Sequence, residues 1–368
     1  VEDLEVTAAE RSVQMGELSF YKDKCVLVTG HTGFKGTWLC RMLLGAGAKV
    51  IGYALEPPTR PSLYEICEAE KDIVSITGDI RDFGNLKKTF EKYEPDMVIH
   101  LAAQPIVRES YKDPRYTYET NIMGTVNVLE CIRGSGAVKS FLNVTTDKVY
   151  ENKEWFWGYR EDENLNGFDP YSNSKSCSEL VTSGYKNSFF LNERTAVSTA
   201  RAGNVIGGGD FAPDRIIPDC IKAAQAGTDI ILRNPYSVRP YQHVLEPLYA
   251  YLMIMQSQYV DRSLSGSYNV GPDEKDCVTT GRLADIFCEC WGEGIKWKSA
   301  AAKDAPHESK FLKLDCSKLK STFGWRPVWD VYTAVEKTVD WTKSFLYGRD
   351  INETMNRQIQ EFLADKGG

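Results

Sequence analysis

An apolar run at residues 24–29 (KCVLVT) leads straight into GHTGFKG, which sets Gly30, Gly33 and Gly36 at three-residue intervals. The next stretch, TWLCRMLLGAGAKV, has helical spacing with Gly47 near its end, and KVIGYA follows as a second strand-like run. A fully apolar strand, a glycine turn, a helix and another strand form the repeating unit of a doubly wound parallel sheet. The glycines permit a tight turn and close approach of backbone to a pyrophosphate, and the helix start presents oriented amides. In that context the motif reads as dinucleotide binding rather than an ordinary turn, although its order is GxxGxxG and not GxGxxG.

Two features of this turn stay open. A carboxylate is expected at the end of the second strand to hold a ribose diol. Here the strand ends Gly52-Tyr53-Ala54, with Glu56 two residues late and Arg60 nearby. Either Glu56 serves or the ribose is held otherwise, and a phosphorylated cofactor stays open too. His31 and Lys35 flank the glycines and are either exposed or pyrophosphate contacts.

The alternation continues. Residues 73–80 (IVSITGDI) read as a strand with Asp79 at its exit, LKKTFEKY as a helix, and 96–104 (DMVIHLAAQ) as another apolar strand. The small Ala102 and Ala103 let a flat ring approach the backbone. Residues 121–133 have helical spacing, and repeated units of this kind predict a Rossmann-type α/β fold. Ligands of such sheets bind at the carboxyl ends of the strands. The run NVTTDKVY places Thr146 and Asp147 at such an end, and YSNSK follows with Tyr171 and Lys175 four residues apart. On a helix these two share a face. An ammonium beside a phenol favours the phenolate, so Tyr171 is a candidate general base and Lys175 its helper.

The 368 residues allow a large core and more than one lobe. A formal net charge of −7 argues against a nucleic-acid footprint. No apolar run reaches the ~18–20 residues that span a bilayer, and the first residues lack a signal-peptide pattern. The ten cysteines show no CxxC or zinc-like spacing, Cys288 and Cys290 included. Reduced thiols, no metal and a cytoplasmic-type compartment are expected.

In order and spacing, TGHTGFKG, GDI, HLAAQ, TTDKVY and YSNSK resemble the extended short-chain dehydrogenase/reductase superfamily. The longer runs PSLYEI, TTDKVYENKEWFWGYRE, RAGNVIGGGD and NPYSVRPYQHVLEPL resemble, more narrowly, its nucleotide-sugar 4,6-dehydratases and their CDP-glucose branch. The likeness covers about residues 22–345. It implies NAD as cofactor, CDP-glucose as substrate, and a product in which carbon 4 is a ketone and carbon 6 has lost its hydroxyl. Tyr171 would take the carbon 4 hydroxyl proton, Thr146 would bond that oxygen, and Asp147 would protonate the departing carbon 6 hydroxyl. Relatives acting on dTDP-glucose carry glutamate after the aspartate as the carbon 5 base, where this chain has Lys148. Lys148 is either that base, which requires a neutral amine, or a screen for Asp147.

The resemblance also implies the binding residues. Gly30, His31, Gly33, Phe34, Lys35 and Gly36 would hold the cofactor together with Asp79 and Ile80. Leu101, Ala102, Ala103, Asn121 and Thr145 would join them, beside Tyr171 and Lys175. Gln104, Asn204, Arg239, Asn269 and His307 would touch substrate. Asn204 and Arg239 correspond to diphosphate contacts, and a guanidinium suits such a group. His307 and Glu308 fall where relatives bind the nucleotide, without the arginines that follow there. His243 is expected to be structural, and Trp155 and Trp157 form either a lid or a packed aromatic cluster.

These readings predict a tail or surface helix over 1–22 and a dinucleotide-binding domain over 23–203, with a return segment near 238–272. A substrate lobe over 204–368 would interleave with it. Its residues 214–227 read as an amphipathic helix after Pro218. A homodimer or dimer of dimers is implied by the family. A 4-epimerase, a dehydratase for another nucleotide and a non-catalytic cofactor sensor remain as alternatives. Asp147 and Lys148 speak against the epimerase, and the intact Tyr171/Lys175 pair against the sensor.

Overall fold

The computed structural model describes residues 16–191, 194–300 and 311–366. Its centre is a seven-stranded parallel sheet. The strands are β1 (Cys25–Thr29), β2 (Lys49–Ala54), β3 (Val74–Thr77), β4 (Met97–His100), β5 (Ser140–Val144), β6 (Ala196–Ala202) and, much later in the chain, β10 (Ser267–Val270). Their spatial order is β10-β6-β5-β4-β1-β2-β3, so the chain reverses direction between β1 and β4. Such a reversal opens a crevice at the carboxyl ends of the strands.

Alternation along the strands sorts side chains onto two apolar layers. Val26 and Val28 of β1 face one core, where α1 (Phe34–Gly45) contributes Trp38 and Met42. Leu27 faces the other, with Leu86 and Phe90 of α2 (Phe83–Tyr93) and Val128 and Leu129 of α3 (Gly124–Arg133). The catalytic candidate helix α4 (Pro170–Tyr185) starts with Asp169 capping the Ser172 amide and Pro170 at its first turn, a favourable N-terminus.

The second lobe carries α5 (Ile216–Gln225), a parallel-antiparallel trio β7 (Asn204–Ile206), β9 (Val238–His243) and β11 (Cys277–Thr279), and the pair β8 (Ile230–Leu232) with β12 (Trp297–Ser299). Its own core joins Ile217, Leu232, Phe287 and Val335. Between these elements the chain returns to the first lobe. Helix α6 (Leu245–Val260) places Leu248 and Met255 in the core of the large sheet, and β10 pairs with β6. Further on lie α7 (Thr280–Trp291), α8 (Val331–Leu346) and α9 (Ile351–Lys366), and Met355 and Phe362 of α9 join the core around β1.

Three expectations differ from the structure. Of the expected tail or surface helix over 1–22, residues 1–15 lie outside the described residues, while Gly16–Tyr21 form a 3-10 turn with Leu18 and Tyr21 buried, and the Tyr21 hydroxyl donates to the Leu252 carbonyl at 2.6 Å. Helix α5 begins at Ile216, before Pro218, because the amide that proline lacks belongs to the first turn, where no partner within the helix exists. Strand β3 covers only Val74–Thr77 and is largely exposed, as befits the edge of the sheet. Among the described residues, no helix is long and apolar enough to cross a membrane.

Candidate active site

A cavity of about 830 Å³ opens at the carboxyl ends of β1, β4, β5 and β6 and runs between the lobes. At one end lies the glycine turn. Gly30 has φ +77°, and a Cβ there would sit 2.8 Å from the Ala102 nitrogen. A Cβ at Gly36 would sit 2.2 Å from the Gly30 carbonyl oxygen, so side chains at both places would break the turn. Gly33, Phe34, Lys35 and Gly36 line the cavity at the start of α1, where first-turn amides have no helical acceptor. Asp79, Ile80, Leu101, Ala102 and Ala103 also line it, as does Glu56, whose carboxylate accepts from Thr77 Oγ1 at 3.2 Å. Arg60 is exposed and outside the lining. Asp79 is held by Arg81, which donates to Oδ2 at 2.6 Å and keeps the carboxyl below its ordinary range. A glycine cradle open to helix amides, walled by alanines, fits a dinucleotide.

At the other end Thr146, Lys148, Tyr171 and Lys175 line the cavity, and Asp147 lies outside the lining. Thr146 and Asp147 follow β5, and Tyr171 and Lys175 project from α4. The Tyr171 hydroxyl faces Thr146 closely enough for that side chain to lower its pKa. Asp147 is fully buried: Oδ1 accepts from Thr146 Oγ1 at 3.0 Å and from Lys148 Nζ at 3.0 Å, while Oδ2 has no protein partner. Lys148 Nζ also reaches Asn204 Oδ1 at 3.3 Å. An unsatisfied buried carboxylate oxygen beside a phenol and an amine is costly as pure architecture, and it has an obvious use in proton transfer.

The charge state of Tyr171 differs from the sequence expectation. Enclosure pushes its phenol up to about 12, assisted by Asp147 and opposed by the Thr146 hydrogen bond and the Arg215 charge. The Lys175 amine is directed elsewhere. Its Nζ donates to the Val144 carbonyl at 3.1 Å, and burial brings the amine itself down to about 8. Four-residue spacing sets a shared face; where the long side chain ends is decided by the nearest acceptor.

Lys35 is drawn into the same field. Burial lowers its amine to about 7, with Arg215, Lys175 and Lys148 adding to the effect and Asp147 opposing it. The floor of the cavity thus gathers three lysines and Arg215, a surplus of positive charge suited to a polyanionic ligand. Arg215, paired with Asp210 at 2.8 Å, escaped the sequence reading, since a lone arginine ahead of an amphipathic helix carries no pattern. Asn204 and Arg239 line the cavity as expected, and Arg239 donates to the Val238 carbonyl at 2.8 Å. Gln104 lines it as well, its amide tied to Thr117 Oγ1 and the Ile106 nitrogen.

Other expected residues are not brought to the cavity. The His31 ring is buried against Gly52, where a Cβ would come within 2.4 Å, and its Nε2 pairs with Ser75 Oγ at 2.8 Å. Burial lowers it to about 4, so it is a neutral strut between β2 and β3 that is neither exposed nor turned to the ligand space. Asn121 spans Gln104 and Ser174, fastening α4 to the loop after β4. Asn269 accepts from the Tyr150 hydroxyl at 2.6 Å behind the site, and is outside the lining. Thr145 does line the cavity, although its hydroxyl is bonded to Glu179. Trp155 stacks on Tyr159 with centroids 5.7 Å apart, Trp157 is exposed, and neither lines the cavity. His243 is buried between Trp38 and Trp329. His307 and Glu308 lie outside the described residues.

Residues 27–338 match the family described as GDP-mannose 4,6 dehydratase. The chain is 44% identical over 356 residues to a CDP-glucose 4,6-dehydratase of Salmonella typhimurium, covering 95% of this chain and 99% of that protein. It is 26% identical to a dTDP-glucose 4,6-dehydratase of Xanthomonas campestris pv. campestris, covering 86% and 92%. Among solved structures, UDP-glucose 4-epimerase of Thermus thermophilus in complex with NAD superposes with a TM-score of 0.74 at 27% identity, covering 86% of this chain and 97% of that one.

Proposed function

The chain belongs to the GDP-mannose 4,6 dehydratase family, and from that premise we infer that it converts CDP-D-glucose to CDP-4-keto-6-deoxy-D-glucose and water. It is an NAD-dependent hydro-lyase acting on a nucleotide sugar. Bound NAD would supply the redox chemistry, taking a hydride from carbon 4 and returning it to carbon 6 within one turnover.

The protein's own groups move the protons. Tyr171, as phenolate, receives the proton of the carbon 4 hydroxyl, and Thr146, beside the phenol, bonds that oxygen. The resulting ketone acidifies the proton on carbon 5. Asp147 in its protonated form gives a proton to the leaving carbon 6 hydroxyl. Lys148, as neutral amine, takes the carbon 5 proton and returns it to carbon 5 once carbon 6 has been reduced. A second reading is favoured by the 3.0 Å contact to Asp147, in which Lys148 is the ion-pair partner of the acid and another group takes that proton. Arg239, Asn204 and the cationic floor around Lys35 and Arg215 hold the diphosphate.

The observation that carries the reading is the placement of Tyr171 and Thr146 on the wall of one cavity with Asp147 hydrogen-bonded directly behind Thr146. An epimerase needs only the first two. Incubation with CDP-glucose and NAD, without added reductant, tests it: the alkaline chromophore of the 4-keto product is expected. UDP-, dTDP- and GDP-glucose run alongside identify the base. Faster turnover of any of those three removes the CDP assignment, and no turnover of all four removes the enzyme.

The assembly is a homodimer or dimer of dimers, supported by the exposed apolar side chains Met123, Leu180, Phe189 and Leu191 around α3 and α4. Ten free thiols suit a reducing, cytoplasmic compartment.

A further inference from the structure

Glu179 lies one turn beyond Lys175 on α4, on the face that carries Tyr171 and Lys175, and only 2% of it is exposed. It is a carboxylate with every bond directed. Oε1 accepts from the Thr145 hydroxyl, while Oε2 accepts from Thr199 Oγ1 at 2.7 Å and from Arg201 Nη2 at 2.9 Å. Arg201 is equally buried and is fixed in turn by the Tyr150 hydroxyl at 2.8 Å and the Glu161 carbonyl at 3.0 Å. A buried pair of this kind contributes little stability over an apolar replacement, so its presence under a catalytic helix calls for another use.

The groups that face Lys175 define that use. From β5 comes the Val144 carbonyl, from α1 the Lys35 amine, and from β4 the ring of His100, which is kept neutral by burial and bonded to Thr29 Oγ1 at 2.7 Å. Tyr171 precedes Lys175 on its own helix, and Arg201 stands behind Glu179 on β6. Burial disfavours an ammonium at 175, whereas the charge of Glu179 favours it. Thr145, the residue before Thr146, is bonded to the same carboxylate.

We propose that Glu179 is a positioning residue of the reaction: braced by Arg201 and two threonines, its carboxylate is the counter-charge that keeps Lys175 protonated, and it fastens the Thr145–Thr146 turn to the catalytic helix. It acts through Lys175 and Thr145 and touches no reacting atom. Only the rate measurement below rests on the dehydratase reading.

Lysine labelled with ¹³C at Cε reports the titration of Lys175 directly, its signal assigned by disappearance in Lys175→Arg. Glu179→Gln keeps the shape and removes the charge, and it should lower the midpoint of Lys175 by about one pH unit or more. Glu179→Asp retains a retracted charge and should give a smaller shift in the same direction. An unchanged midpoint in either variant overturns the proposal; should the glutamine variant fail to fold, the aspartate variant decides alone. With CDP-glucose, the alkaline limb of kcat/KM should move to lower pH by the same amount, and a loss of rate equal at all pH values overturns the proposal. A wild type without turnover would refute the dehydratase reading while the NMR midpoint still decides the role of Glu179.

Discussion

The Lys148 ammonium lies 3.0 Å from Asp147 Oδ1, while the second oxygen of that fully buried carboxylate has no partner. Lys148→Ala separates the two proposed roles of the amine. As carbon 5 base, its loss should slow exchange of the carbon 5 hydrogen with solvent by ~10²-fold or more, in the range of general-base contributions. As mere partner of Asp147, its loss should leave that exchange intact and change water loss alone. Exchange of solvent deuterium into substrate, followed by NMR, gives the answer.

Tyr171→Phe removes the acceptor for the carbon 4 proton and leaves the glycine turn untouched. Turnover should fall ~10²–10⁴-fold with NAD affinity changed little. In the wild type, difference absorbance against this variant should place phenol ionisation near the value of about 12 produced by enclosure. Saturation with NAD, whose nicotinamide carries a positive charge, should move it downward. An unchanged midpoint with NAD bound would mean that the ring and the phenol are not neighbours.

Lys35 titrates near about 7 and Lys175 near about 8, both lowered from the ordinary lysine value. At pH 8 the first is mostly neutral and the second about half protonated. A diphosphate in their midst raises both, so binding of CDP-glucose at pH 8 should take protons up from solution. Calorimetry in buffers of different ionisation enthalpy should register net uptake, diminishing toward pH 6 where both amines already carry their protons. Release of protons at pH 8 would place the diphosphate elsewhere.

Glu246 is buried at the start of α6, where Oε1 accepts from the Val328 and Trp329 amides at 3.0 and 2.7 Å and Oε2 has no partner. Burial raises its carboxyl to about 8. A folded value above the unfolded one favours the native state below the unfolded value and withdraws that contribution as pH rises through the folded value. Unfolding free energy should thus carry a loss of up to ~1.4 kcal/mol per pH unit between roughly pH 4.5 and 8 from this group. Glu246→Gln keeps an acceptor for both amides and should flatten that slope in urea titrations at several pH values.

The glycine turn and the alternating units were readable because a parallel sheet writes itself locally, as strand, turn and helix in succession. The same holds for Thr146, Asp147, Tyr171 and Lys175, each placed by the element it ends or begins. What sequence could not supply was direction. His31 sits inside the turn motif, yet its ring enters the space left by Gly52, a partner 21 positions on. Asn269 stands at a strand end as a ligand contact would, but the Tyr150 hydroxyl claims it. Arg215 reaches the site only because α5 crosses from the second lobe, a fact of tertiary placement. Glu179 did carry a signal: a third polar residue at the four-residue spacing of Tyr171 and Lys175 belongs to the same helix face.

Strand β10 joins the large sheet beside β6 only after the chain has built β7, β8, β9, α5 and α6. Until residue 270 has left the ribosome, the bonding edge of β6 that faces β10 lacks its neighbour. A nascent chain halted before that point presents an unprotected strand edge, the usual starting place for association between copies. Synthesis order and sheet order are out of step here, so the growing polypeptide depends on its later half to seal its earlier one.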